Sequence, residues 1–273
     1  MTRIAVMEMG LDLTWQALQA KDWDDKKLSA LQQGWERLDA LEGLERALEG
    51  ERCLGLEYVR MRRESGWHWE RVFRSPSGSS IPDVKRVADQ GLYGRFFLRT
   101  VVNNDLAFQL GHTHARVQQV RLLRADHPWK EVSDSWQQLN ARMEERLHSP
   151  TRLFYPLSLL ATLNSYGAGR TAVRAEMARR LTIAAIALKR YELTHGHPSS
   201  SLTALVPGFL SASPRDCMSG QPLRYRANDD GTFRLYSVGE DGKDDGGDPT
   251  PVKLDAKGLW EGRDAVWPSP ASG

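Results

Sequence analysis

The feature that most constrains this chain is an amphipathic stretch from Val173 to Tyr191, followed by the stop His195-Gly196-His197-Pro198. Met177, Leu181, Ala184, Leu188 and Tyr191 recur at alternating spacings of four and three. That spacing sets them on one stripe of an α-helix, with Arg179, Arg180, Lys189 and Arg190 off it. Gly196 can take the left-handed conformation that closes a helix, and Pro198 cannot continue one. Ser200 then precedes Leu202, Leu205 and Val206, a short helical turn ended by Pro207. Leu223-Arg224-Tyr225-Arg226 and Phe233-Arg234-Leu235-Tyr236-Ser237 read as strands, and Asn228-Asp229-Asp230-Gly231 between them supplies hairpin chemistry. A long helix followed by a short hairpin predicts that the helix packs on a small antiparallel sheet.

Past the second strand, Asp241, Asp244, Asp245 and Asp248 are interleaved with Gly239, Gly242, Gly246 and Gly247. Calcium takes six to eight oxygens, and glycines let backbone carbonyls turn inward to supply some of them. The spacing is not that of an EF-hand, because Asp241 and Asp244 stand three apart and no Glu closes the loop. By composition alone such a cluster is more often a solvated turn.

The order of these elements, and above all Tyr236-Ser237-Val238-Gly239-Glu240-Asp241-Gly242, resembles the C-terminal half of the major (G-type) pseudopilin of type II secretion systems. In that family a Ser-Leu-Gly-x-Asp-Gly segment ligates calcium. The resemblance implies a pseudopilin-like domain in which Asp241 is a side-chain ligand and Val238 offers its carbonyl. The family also uses acidic residues shortly before an apolar residue and a tryptophan. Asp264, followed by Ala265, Val266 and Trp267, is the nearest match. The stretch from Asp245 to Asp264 is longer than the family's loop, so Asp244, Asp245 and Asp248 compete for the same role. The Leu-Arg-Tyr-Arg and Tyr-Ser-Val-Gly segments also look like the tails of uncharacterised membrane-anchored proteins of planctomycete and verrucomicrobial type. The role implied is a non-enzymatic, extracytoplasmic structural or interaction protein, secretion- or envelope-related, with protein partners. It would be periplasmic or membrane-anchored.

The opening residues MTRIAVMEMGLDLTW show no basic region, apolar core or small-residue cleavage site, and the resemblance covers about a quarter of the chain, so filament assembly does not follow from it. The longest uncharged run, Leu153 to Gly169, is interrupted by Pro156, Asn164, Gly167 and Gly169 and falls short of the ~20 apolar residues of a spanning helix. Any membrane attachment is expected through an anchor outside this sequence. The 37 basic and 35 acidic residues leave a net charge of +2, which gives no field favouring nucleic acid or an anionic membrane.

Upstream, the pattern is helical, and the expected organisation is an all-helical region 1–165 followed by an α+β domain 166–273. Leu11, Trp15 and Leu18 suggest a first helix ending near Lys21-Asp22. Asp24 or Asp25 can cap a second, in which Leu28, Leu31, Trp35, Leu38, Leu41, Leu44 and Leu48 recur as far as about Arg63. Further helices are expected over Gly94 to Arg124, over Trp129 to Leu147, and from Leu153. Ser75 to Ser80 reads as a surface loop. The fold class predicted is mainly α with a small α+β C-terminal part. The tryptophans at 15, 35, 67, 69, 129 and 136 suit packing between helices. Cys53 and Cys217 are expected as unpaired thiols.

Enzyme motifs mostly fail. Gly167-Ala168-Gly169-Arg170-Thr171-Ala172 has the alanine form of a dinucleotide fingerprint, but the helical stripe running to Tyr191 leaves no room for the second strand that fingerprint needs. His112 and His114 point to different faces of a helix, and His195 and His197 flank a helix end. No HExxH, GxSxG or phosphate loop is present. The alternative reading is a metal-dependent hydrolase around His112 and Asp105, which stand seven apart and share a helix face.

Overall fold

The computed structural model describes residues 2–20, 22–65, 91–151, 165–228, 232–252 and 259–267. The described chain is mainly helical, with a small antiparallel sheet near its C-terminus. Six α-helices are described: α1 (Thr2–Leu18), α2 (Asp25–Glu36), α3 (Ala40–Ser65), α4 (Gly91–Arg124), α5 (Trp129–His148) and α6 (Ser165–His195). A 3₁₀ turn at Leu202–Leu205 is followed by β1 (Arg224–Ala227), β2 (Phe233–Ser237) and β3 (Ala265–Trp267). The helix expected from Leu153, the loop at 75–80, Trp67, His68, Trp69 and the hairpin tip at 229–231 lie outside the described residues.

Capping explains where helices start, and it corrects one expectation. Asp24 accepts a hydrogen bond from the Lys27 amide at 2.8 Å and opens α2. The leucine repeat suggests one helix from there to Arg63, but the chain breaks at 37–39. Asp39 accepts from the Glu42 amide at 2.7 Å and starts α3 afresh. The apolar period carries through the break, so periodicity alone could not show it.

The chain divides into two compact units. One comprises Met1–Leu44, Val120–Asp134 and Gly167–Gly273; the other comprises Glu45–Gln119 and Ser135–Tyr166. The first is built on α6, which is not the one-sided amphipathic helix its stripe suggests. Nearly every residue from Ala172 to Leu188 is buried, as befits a helix covered on all sides. Arg179 and Arg180 lie off the stripe yet are also largely covered. Glu176, itself buried, accepts from Arg179 at 2.7 and 2.9 Å and from Arg180 at 2.9 Å. Arg180 also donates to Asp126 at 2.7 Å, and Arg179 donates to the Trp35 carbonyl. A buried charge needs such partners, and here the partners are complete on both sides.

The sheet has the order β1-β2-β3, all antiparallel, with Tyr225 opposite Leu235 and Tyr236 opposite Val266. The hairpin expectation holds for β1 and β2, and Asn228 donates from its amide to the Thr232 carbonyl at 2.8 Å. β3 is a strand that the sequence does not announce. It holds only Ala265, Val266 and Trp267, too few to show alternation.

In the second unit, α4 carries a buried polar row. Asp105, His112, Thr113 and Arg116 are all buried. Arg116 donates to Glu51 at 3.2 Å and to Thr113 at 3.0 Å. His112 lies 3.1 Å through Nε2 from the Leu139 carbonyl, while His114 faces solvent. Among the described residues, no helix is long and apolar enough to cross a membrane.

Candidate functional site

The loop from Val238 to Asp264 joins the central strand β2 to the edge strand β3, and two buried aspartates frame its ends. Asp216 accepts from the Ser237 hydroxyl at 2.8 Å and from the Val238 and Met218 amides at 3.0 and 2.8 Å. It thereby fixes the chain where it leaves β2. Asp264, just before β3, accepts from the amides of Gly247 at 2.7 Å, Asp248 at 3.1 Å and Asp245 at 3.4 Å. Burial pushes both carboxyls above the usual aspartate range, and the amide hydrogen bonds work against that rise.

Glycines make this approach possible. Gly239 has φ +73, and a Cβ there would meet the Arg263 carbonyl oxygen at 2.7 Å. Gly247 has φ +77, and a Cβ there would fall 2.5 Å from the Arg234 side chain and 3.0 Å from the Tyr236 ring. Both positions require the left-handed region and the missing side chain.

The six residues expected to hold calcium are placed as follows. Val238 is buried, with its amide on Asp216. Asp241 is exposed and accepts from the Lys243 amide at 3.0 Å. Asp244 accepts from Arg224 at 2.9 Å, from the Tyr236 hydroxyl at 3.0 Å and from the Gly246 amide at 3.1 Å. The Arg224 contact leads in holding its carboxyl below the usual range. Burial first, and then the bond to Asp244, push the Tyr236 phenol up to about 12, so it remains a donor. Asp245 is exposed and contributes its amide to Asp264. Asp248 accepts from the amide and hydroxyl of Thr250 at 2.9 and 2.6 Å, with Arg263 at 3.8 Å.

Asp264 is thus brought together with the backbone of Asp245 and Asp248, while Asp241 and Asp244 are engaged elsewhere. Among the described residues, no three His, Cys, Asp or Glu side chains converge to hold a metal. Inward-facing amides suit a carboxylate, and Asp264 supplies it. As folded, these residues do not form a ready calcium cage, because the carboxylates of Asp241, Asp244, Asp248 and Asp264 already have protein donors.

Glu240 was passed over by sequence reasoning and ties the loop to α6. It accepts from Arg170 at 2.6 to 2.9 Å and from Arg174 at 2.6 Å. Arg174 also lies over the Trp260 ring, 5.7 Å from its centroid. Burial raises the Glu240 carboxyl, and the bonds from Arg170 and Arg174 more than reverse this, leaving it lowered. The i,i+4 spacing of Arg170 and Arg174 was visible, but their partner lies far along the chain. Asp216 gave no signal of its own in the sequence.

The remaining candidates are quiet. Cys53 and Cys217 are both free thiols. Burial pushes Cys217 up to about 12, so it stays protonated and unreactive at neutral pH. The dinucleotide-like glycines, Gly167 and Gly169, lie in the first turns of α6. No family model matches the chain, and no curated protein or solved structure matches it either.

Proposed function

We propose that this chain is a non-enzymatic extracytoplasmic structural or interaction protein whose C-terminal part is a pseudopilin-like module. The observation that carries the reading is the order of parts from α6 onward. A long helix, a 3₁₀ turn and an antiparallel hairpin are followed by an aspartate- and glycine-rich loop returning to the sheet through Asp264. Among the described residues, Asp248 and Asp264 spend their carboxylates on the loop's own amides, Asp244 on the sheet and Glu240 on α6, which suits a scaffold. The envelope- or secretion-related setting and the protein partners rest on the resemblance of Tyr236 to Gly242. Calcium belongs to the same proposal, with Val238, Asp241, Asp244, Asp245, Asp248 and Asp264 as its candidate ligands: Asp241, Asp244, Asp248 and Asp264 would exchange protein donors for the ion. Such exchange places affinity in the weak range of extracellular modules, ~10⁻⁴ to 10⁻³ M.

A membrane-impermeant, amine-reactive cross-linker applied to intact cells of the source organism tests the reading. Labelled chain and cross-linked species with envelope proteins are the expected result. Labelling that appears only after lysis would contradict it.

A metal-dependent hydrolase around His112 and Asp105 remains the second reading, with one observation in its favour. His112 Nδ1 is buried without a hydrogen-bond partner, and burial lowers the imidazole below its usual value, so the ring is neutral. Stoichiometric zinc in the purified protein, lost in His112→Ala together with hydrolytic turnover, would establish it.

A further inference from the structure

The turn His195-Gly196-His197-Pro198 at the end of α6 packs two imidazoles side by side. Gly196 closes the helix in the left-handed region with φ +77, and its amide donates to the Glu192 carbonyl at 2.8 Å. The His195 and His197 rings then lie 6.1 Å apart between centroids, with their planes at 55°. Tyr191 stacks on His195 at 4.0 Å and stands at 70° to His197 at 5.9 Å. Phe209 meets His195 at 5.9 Å. Both histidines are exposed, yet these ring contacts hold them in place.

Each ring has one nitrogen committed to the main chain. His195 Nδ1 lies 3.0 Å from the Tyr191 carbonyl oxygen, and His197 Nδ1 lies 3.0 Å from the Pro198 carbonyl oxygen. A carbonyl only accepts, so both Nδ1 atoms carry a proton and donate it. In the neutral ring this leaves Nε2 as a lone pair, on the edge turned away from the main chain. Neither Nε2 has a hydrogen-bond partner among the described residues. Metal-ligating histidines almost always donate their other N–H in this way, which fixes tautomer and orientation. Stacking covers ring faces, whereas a metal binds in the ring plane, so the packing leaves the Nε2 edges usable. Two imidazoles on one zinc, at a Zn–N distance of ~2.1 Å, have centroids ~5 Å apart at a tetrahedral angle and ~6 Å apart at a wider one.

We infer that His195 and His197 chelate one divalent transition-metal ion through Nε2, of the kind imidazole suits, such as zinc, copper or nickel. Among the described residues no third His, Cys, Asp or Glu converges on them, so water completes the coordination shell. The ion clips the last turn of α6 to the chain that leaves it. The site uses no residue of the loop after β2 and none of the His112 row. It therefore stands or falls separately from both readings of the function.

Calorimetric titration of the tag-free chain with zinc tests this, alongside His195→Phe, His197→Phe and the double variant. Phenylalanine keeps a ring against Tyr191 and Phe209 and removes the nitrogens. Glutamine at the same positions repeats the test if a phenylalanine variant does not fold. Each single variant should weaken one wild-type zinc site at least tenfold. The double variant should be no weaker than either single one, since a lone imidazole no longer chelates. Millimolar calcium or magnesium should not displace the zinc, because these hard cations take oxygen ligands. The inference is overturned if the wild type takes up no more zinc than the double variant, if either single variant keeps wild-type affinity, if the two single losses add in the double variant, or if calcium or magnesium displaces the ion.

Discussion

Asp264 accepts from three backbone amides, and removing its carboxylate strands the buried Gly247 amide and the part-buried amides of Asp248 and Asp245. Asp264→Ala should therefore cost about 3 kcal/mol, the range for unsatisfied buried donors. Asp264→Asn should cost about 1 kcal/mol, because one oxygen can still serve Gly247 and Asp248. Urea unfolding checks both, as a fall in midpoint at constant slope. Glu240 predicts a pH effect. Its carboxyl is lowered in the folded state, so its contribution is complete above the unfolded carboxylate value of 4.5 and is lost as pH falls through the folded value. Melting temperature should drop between pH 5 and pH 3, and Glu240→Gln should start lower and fall less over that interval. At this scale the sequence was half legible. Asp/Gly alternation marked the loop, and the position before Ala265-Val266-Trp267 marked Asp264. Which donor each aspartate meets was not legible, because Arg224, Tyr236, Arg170 and Arg174 are brought to the loop only by folding.

Among the elements, α6 decides most. Leu181 is wholly buried at the centre of a helix covered on every side. Leu181→Asp should destabilise the protein by about 4 kcal/mol or more, since it buries a carboxylate with no arranged partner. An unchanged melting temperature would show that this face is open. The stripe was readable because its apolar residues keep helical period. The burial of its polar flank was not, because Glu176, Arg179 and Arg180 are neutralised by one another and by the distant Asp126. The break between α2 and α3 is a similar case. It depends on one cap, so Asp39→Ala should cost about 1 kcal/mol, seen as a lower midpoint in thermal unfolding. β3 escaped sequence reading because three buried residues carry no period.

For the whole molecule, the proposed function makes the C-terminal part a pseudopilin-like scaffold whose loop carboxylates would trade their present donors for calcium. Arg224 at Asp244 and the Lys243 amide at Asp241 would be given up. An ion that binds only the folded state stabilises it by RT ln(1 + [L]/Kd), so the gain at millimolar calcium should be modest but measurable. Magnesium should substitute poorly, because it demands a tight octahedron and dehydrates reluctantly. The most direct measurement is the thermal melting of the wild-type chain in millimolar calcium and in chelator, with Asp241→Ala alongside. The expected result is a higher melting temperature with calcium in the wild type and no shift in Asp241→Ala. Superimposable wild-type curves in calcium and chelator would contradict it.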